Sequence, residues 1–128
     1  VSESIELKNI GVSTIAIMSN DVKQYPEDSY EKMKEFSLKY DFKFHYLYDS
    51  TQQVAKAYKA VCTPDIFGFN KDLQLKYRGR IDSKVVEEDN NGIKREMYEA
   101  MKLIKETNEG PLNQFNSFGC SIKWANNE

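Results

Sequence analysis

Val61-Cys62-Thr63-Pro64-Asp65, running straight into Ile66-Phe67-Gly68-Phe69, is the stretch on which the reading of this chain turns. A Thr-Pro step is followed at once by an apolar, aromatic run of strand character, so the proline stands at the mouth of a buried strand. Asn70-Lys71-Asp72 then supplies turn residues. Two strands over residues 66–70 and 73–79 make a predicted β-hairpin around that turn.

Upstream, residues 1–10 read as the end of a helix, closed by Gly11, since glycine just past a helix supplies the left-handed conformation that ends it. Residues 12–18, Val-Ser-Thr-Ile-Ala-Ile-Met, are β-branched and apolar on both faces. They suit a parallel strand covered by helices on both sides. Ser19-Asn20-Asp21 and Pro26 form a loop leaving the C-terminal end of that strand, the end where open α/β sheets gather function. A helix over 29–40, capped by Asp28 or Ser29, carries Tyr30, Met33, Phe36 and Tyr40 at helical spacing. Residues 42–48 are an aromatic extended stretch, and Ser50 or Thr51 is expected to cap a further helix through Val54, Tyr58 and Val61. Beyond the hairpin, residues 84–92 read as a surface loop, including the acidic run Glu87-Glu88-Asp89. Ile93, Met97, Ala100, Met101 and Ile104 mark an amphipathic helix ended near Gly110-Pro111. Residues 112–128 are an irregular tail packed on the body.

The composition narrows the function. At 128 residues, 40% hydrophobic and 30% charged, the sequence reads as one globular domain. A formal net charge of -2 gives no reason to expect nucleic acid or an anionic membrane as partner. No apolar run approaches the roughly 18 to 20 residues of a membrane span. Two distant cysteines, Cys62 and Cys120, are too few for a disulfide scaffold or a structural zinc site. With His45 as the sole histidine, no multi-histidine metal site and no Cys-His-carboxylate site can be assembled. The expectation is no metal and no organic cofactor.

Seven segments in order carry a resemblance: Ser19-Asn20-Asp21, Tyr25-Pro26-Glu27-Asp28-Ser29, Tyr46-Leu47-Tyr48-Asp49, Ala57-Tyr58, Cys62-Thr63-Pro64-Asp65, Tyr77-Arg78-Gly79-Arg80 and Gly119-Cys120-Ser121-Ile122-Lys123-Trp124. Together they resemble the redoxin family of thioredoxin-like proteins, related to the alkyl hydroperoxide reductase/thiol-specific antioxidant group. The resemblance implies an α/β, thioredoxin-like three-layer fold with a mixed central sheet. It places a cis-proline at Pro64, facing the redox centre. It implies a thiol–disulfide oxidoreductase or antioxidant domain working on a protein or small-molecule disulfide or a peroxide, with a thiol reductant as electron donor. Family members carry a Cys-x-x-Cys at the start of their first helix, and this sequence contains no Cys-x-x-Cys. A single domain over 1–128 is therefore expected, N-terminally incomplete, without the first strand and the start of the catalytic helix, and inactive as it stands. The absent strand would sit between the strand at 12–18 and that at 66–70, leaving unpaired edges that a longer parent chain, direct pairing or a swapped homodimer would fill. The compartment stays open, with the cytoplasm favoured for a chain of reduced thiols.

The site residues implied are Thr63, Pro64 and Asp65 as a substrate groove presenting backbone to an extended peptide, with Cys62 as an auxiliary thiol or else a small core residue. Cys120 is a structural or redox thiol; a bond to Cys62 would close a long loop worth roughly 4 kcal/mol. Asn20 and Asp21 read as turn and cap residues near the same groove, while a buried Asp65 could accept a proton. Arg78 and Arg80 share a strand face and would either bind an anionic partner or keep an edge soluble. His45 reads as surface structure, and Trp124 as packing the tail with its N–H bonded. A non-catalytic peptide-binding module is the alternative function, and a one-cysteine peroxidase using Cys62 a weaker third.

Overall fold

The computed structural model describes residues 1–83 and 93–125. The expected loop at 84–92, with its acidic run, lies outside the described residues. Elements follow in the order α1 (Ser2–Asn9), β1 (Ile15–Met18), a 3-10 turn (Pro26–Asp28), α2 (Tyr30–Lys39), β2 (His45–Tyr48), α3 (Gln53–Tyr58), β3 (Cys62–Thr63), β4 (Ile66–Phe69), β5 (Leu75–Gly79), α4 (Glu96–Thr107) and β6 (Cys120–Ser121). They divide into two compact units, Val1–Val61 with the residues from Ser121 onward, and Cys62–Cys120.

In the first unit α1 ends as its glycine requires. Gly11 takes φ 86, its N–H reaches Lys8 O and the Val12 N–H reaches Leu7 O at 2.9 Å, a double closure of the last turn. β1 pairs in parallel with β2, Ile15 opposite His45 and Ile17 opposite Leu47. α2 is capped by the Ser29 hydroxyl, which accepts from the Lys32 N–H at 3.3 Å. It packs on β2, with Met33 buried and Phe36, Phe42 and Tyr46 joined through ring contacts at 5.6 and 5.2 Å. Strand β1 departs from expectation. Ile15 and Ile17 are 59% and 42% exposed, while Met18 is buried. Alternation puts Ile15, Ile17 and Leu47 on one face, and only the opposite face, the side of Tyr46 that meets the α2 aromatics, is covered.

The helix over 50–61 also differs from its sequence reading. It covers only Gln53–Tyr58, and although the Thr51 hydroxyl accepts from the Gln53 N–H at 3.4 Å, neither Ser50 nor Thr51 caps the next two N–H groups. The Asp49 carboxylate does so, accepting from the Val54 N–H at 3.3 Å and the Ala55 N–H at 3.0 Å across a bend at Gln52 (φ 63). Val61 lies past the Lys59 left-handed stop and is exposed.

In the second unit β4 and β5 form the antiparallel hairpin, Ile66 opposite Gly79 and Gly68 opposite Tyr77, with a bulge at Gly68/Phe69. Asn70 builds the turn. Its Oδ1 accepts from the Asp72 and Gln74 N–H groups at 3.0 Å each, and its Nδ2 donates to Gln74 Oε1 and to the Asn108 carbonyl. α4 packs on both strands through Ala100, Met101 and Ile104, which recur on one helical face. Each large apolar side chain buried this way contributes about 1.5–3 kcal/mol. Tyr77, 1% exposed, is the most buried large side chain of the hairpin. α4 begins later than the pattern suggested, where Arg80 grips Glu96 and the Ile81 carbonyl takes the Met97 N–H. It stops before Gly110: Asn108 adopts the left-handed conformation (φ 66) and returns its N–H to Ile104 O at 2.7 Å.

Candidate functional site

Strand β3 is two residues long, and its alternation sorts them: Cys62 turns inward and is buried, Thr63 turns outward. The Thr63–Pro64 peptide is cis. The Cys62 thiol donates to the Pro64 carbonyl at 3.7 Å. Burial, and then the nearby Asp65 carboxylate, push this thiol up from its ordinary range, with Arg78 acting the other way. It therefore stays protonated near neutral pH and is a poor nucleophile. The Asp65 side chain is buried and paired with Arg78 at 3.2 Å, and the guanidinium lies 4.9 Å from the Phe67 ring centre. Since Arg78 is partly in water, the pair contributes at most about 1 kcal/mol.

Gly119 and Cys120 lie along the outward side of Thr63. The Thr63 hydroxyl donates to the Cys120 carbonyl at 3.3 Å. A Cβ on Gly119 would overlap the Thr63 carbonyl oxygen and would sit 3.8 Å from Pro64 Cδ. The Cys120 thiol is exposed and Cys62 is buried, and both are free. Cys62 faces inward and its neighbour Thr63 meets Cys120 on the outer side, so the bond between the two cysteines is not made. The tail is tied down by hydrogen bonds. Gln114 Nε2 donates to the Lys76 carbonyl, Gln114 Oε1 accepts from the Arg78 N–H at 2.9 Å, the Phe115 carbonyl accepts from the Arg80 N–H at 3.1 Å, and the Ser117 hydroxyl donates to Gly79 O.

The two arginines do not share the free anion-binding face suggested by their spacing. Arg78 goes to Asp65. Arg80, beyond the end of β5, directs Nε and Nη2 to Glu96 Oε1 at 2.9 and 2.5 Å and lies over Phe115. Glu96 Oε2 is buried without a hydrogen-bond partner among the described residues. Burial, then the Glu96 charge, push the neighbouring Tyr77 hydroxyl up to about 12 against the opposing pull of Arg80. That hydroxyl donates to the Arg80 carbonyl at 2.5 Å. Glu96 carried no signal in the sequence beyond its place before an amphipathic run.

In the other unit, the end of β1 is bound by a polar clasp. Asp49 also accepts from the Ser19 hydroxyl at 2.8 Å. Gln52 Nε2 donates to the Ser19 and Lys123 carbonyls at 2.7 and 2.9 Å, and Gln52 Oε1 accepts from the Ala125 N–H at 2.9 Å. Asn20 Oδ1 takes the Lys123 N–H and its Nδ2 donates to Asp28. Asp21 Oδ1 accepts from the Lys23 N–H, the turn duty expected of it. Trp124 is 40% exposed, with the Lys56 ammonium of α3 5.8 Å from its ring centre. His45 is exposed, as read. Asp49 and Gln52 were missed because their partners Ser19, Lys123 and Ala125 lie 30 to 73 positions away. Among the described residues no three His, Cys, Asp or Glu side chains could hold a metal ion, and no helix is long and apolar enough to cross a membrane.

Residues 2–78 match the model of the AhpC/TSA family. Among solved structures, an uncharacterized conserved protein from Geobacillus kaustophilus matches with a TM-score of 0.90 and 44% identity, over 100% of this chain and 68% of that one. A hypothetical protein from Sinorhizobium meliloti 1021 matches with a TM-score of 0.86 and 31% identity, over 97% of this chain and 68% of that one. No curated protein is matched significantly. The fold is thus thioredoxin-like α/β, and with more than half of its residues matched, the chain belongs to the AhpC/TSA family.

Proposed function

We propose that this chain is the substrate-presenting part of a thiol–disulfide oxidoreductase of the redoxin type. The observation that carries the reading is the Thr63–Pro64 step at the end of β3, with Cys62 buried and Thr63 turned outward, within a chain of the AhpC/TSA family. Thr63, Pro64 and Asp65 frame a groove for an extended disulfide substrate, Cys62 lies beneath it as an auxiliary thiol, and Cys120 lies beside it. In the exchange, a thiolate attacks one sulfur of the substrate disulfide and the other sulfur leaves as thiolate. A second thiol then attacks the mixed disulfide and releases the remaining half. The substrate gains two electrons, the enzyme pair becomes a disulfide, and an external thiol reductant restores it. The attacking pair is not among these 128 residues as a Cys-x-x-Cys, and neither Cys62 nor Cys120 sits at a helix N-terminus that would lower its pKa.

The test is reduction of insulin by dithiothreitol, followed by turbidity, with the 128-residue chain and with the full-length product of its gene. The full-length product is expected to accelerate precipitation and the 128-residue chain is not. A second reading, a peptide-binding module without catalysis, is favoured by the missing Cys-x-x-Cys; a full-length product that binds peptides and leaves insulin intact would establish it. Peroxide consumption that survives in the full-length product and falls with Cys62→Ser would instead make Cys62 the reacting thiol.

A further inference from the structure

The outward side of Thr63 is the main-chain edge that the proposed function assigns to an extended substrate, and in this chain that edge is already taken. Gly119 presses its bare Cα on the Thr63 carbonyl oxygen so closely that no side chain fits between them. The next residue, Cys120, receives the Thr63 hydroxyl at 3.3 Å. Both residues, and Phe118 before them, are exposed. We propose that Gly119–Cys120 is a built-in occupant of the substrate edge: the resting chain covers it with its own Gly-Cys segment, and an external extended polypeptide containing a cysteine is seated when that segment lifts away. The inference rests on the reading of Thr63–Pro64 as a substrate groove and adds the substrate class and its regulation.

The segment can lift without the tail leaving the body. Residues 114–117 are moored separately along the outer side of β5, through Gln114 to Lys76 and Arg78, Phe115 to Arg80, and Ser117 to Gly79. Gly119 and Cys120 are held on Thr63 by the hydroxyl bond, by the close Gly119 contact and by the short pairing of β6 with β3, and just beyond them the Ile122 N–H donates to the Val61 carbonyl at 3.3 Å. A mooring two residues away keeps the occupant at an effective concentration of roughly millimolar. A segment held by a pairing only two residues long, at that concentration, blocks casual ligands and yields to one that adds further contacts along the strand.

The probe is a fluorescent octapeptide with the sequence of residues 116–123, Asn-Ser-Phe-Gly-Cys-Ser-Ile-Lys, read by anisotropy under reducing conditions. In the 128-residue chain, Gly119→Val places a branched side chain against the Thr63 carbonyl and evicts the occupant. It is expected to tighten peptide binding at least tenfold over the unsubstituted chain. Gln114→Ala with Ser117→Ala, which loosens the mooring and leaves Gly119 in place, is expected to tighten it about threefold. This second variant keeps the test decisive if a thermal melt shows the first to be unfolded. Equal binding by all folded forms overturns self-occupation and leaves the groove reading standing. No binding by any folded form overturns both.

Discussion

In the unit built on β1 and β2, a buried polar pair, Asp49 and Gln52, gathers the long-range ties beside an apolar core of Leu7, Met18, Met33, Ala55 and Ile122; in the unit built on β4 and β5, the buried centre is a helix packed on the hairpin. Asp49 and Gln52 between them receive or supply six hydrogen bonds from Ser19, Val54, Ala55, Lys123 and Ala125. Tyr77, Ala100, Met101 and Ile104 do the corresponding work in the hairpin unit, where helix α4 lies on both strands. The parallel pair in the first unit has Ile15, Ile17 and Leu47 uncovered. With that face of its strand pair uncovered, the unit adds to its apolar core hydrogen bonds that are strong only while every partner is present.

That contrast breaks most visibly at Asp49. Asp49→Ala strips the acceptor from two helix N–H groups and one hydroxyl, and is expected to cost about 3 kcal/mol in urea unfolding. Hydrogen exchange should show the loss concentrated in α3. A cost under about 1 kcal/mol would mean the clasp is ornamental. Gln52→Ala comes next: it orphans the Ser19 carbonyl and the Ala125 N–H and leaves the Lys123 carbonyl with the Asp21 N–H alone, and about 2 kcal/mol is expected, seen as early release of the Lys123–Ala125 stretch. The smallest effect sharpens the other side. Tyr77→Phe leaves the apolar packing and removes one hydroxyl bond, at about 1 kcal/mol near neutral pH. Its pH dependence carries the sign. The hydroxyl ionises near 10 when unfolded and only at about 12 when folded. Its share of stability is whole below pH 10 and drains away as the pH climbs to 12. Tyr77→Phe should lessen that alkaline loss of Tm, and an unchanged alkaline profile would place the titration elsewhere.

The sequence spoke clearly where a feature is local. Gly11 closing α1, Ser29 capping α2, the Asn70 turn and the Thr63–Pro64 strand start all act within a few residues of themselves. It was silent or misleading where the partner is distant. Asp49 caps α3 from across a bend because Gln52 takes a left-handed conformation, which no capping rule based on adjacent residues anticipates. The burial of β1 was misjudged because an apolar strand looks the same whether or not a neighbour covers it. In the candidate groove, Cys62 and Pro64 were legible from their order, whereas the lodging of Gly119–Cys120 on Thr63 depends on where a 57-residue excursion returns.

One amide joins the turn of the hairpin to the C-cap residue just past the long helix. Asn70 holds the Asp72 and Gln74 backbone with its oxygen and the Asn108 carbonyl with its nitrogen. The helix end therefore cannot fray alone, since unwinding at Asn108 takes a bond from the side chain that shapes the turn, and opening the turn uncaps the helix. The two form a single cooperative opening unit, a latch between the parts of this unit that carry its apolar core.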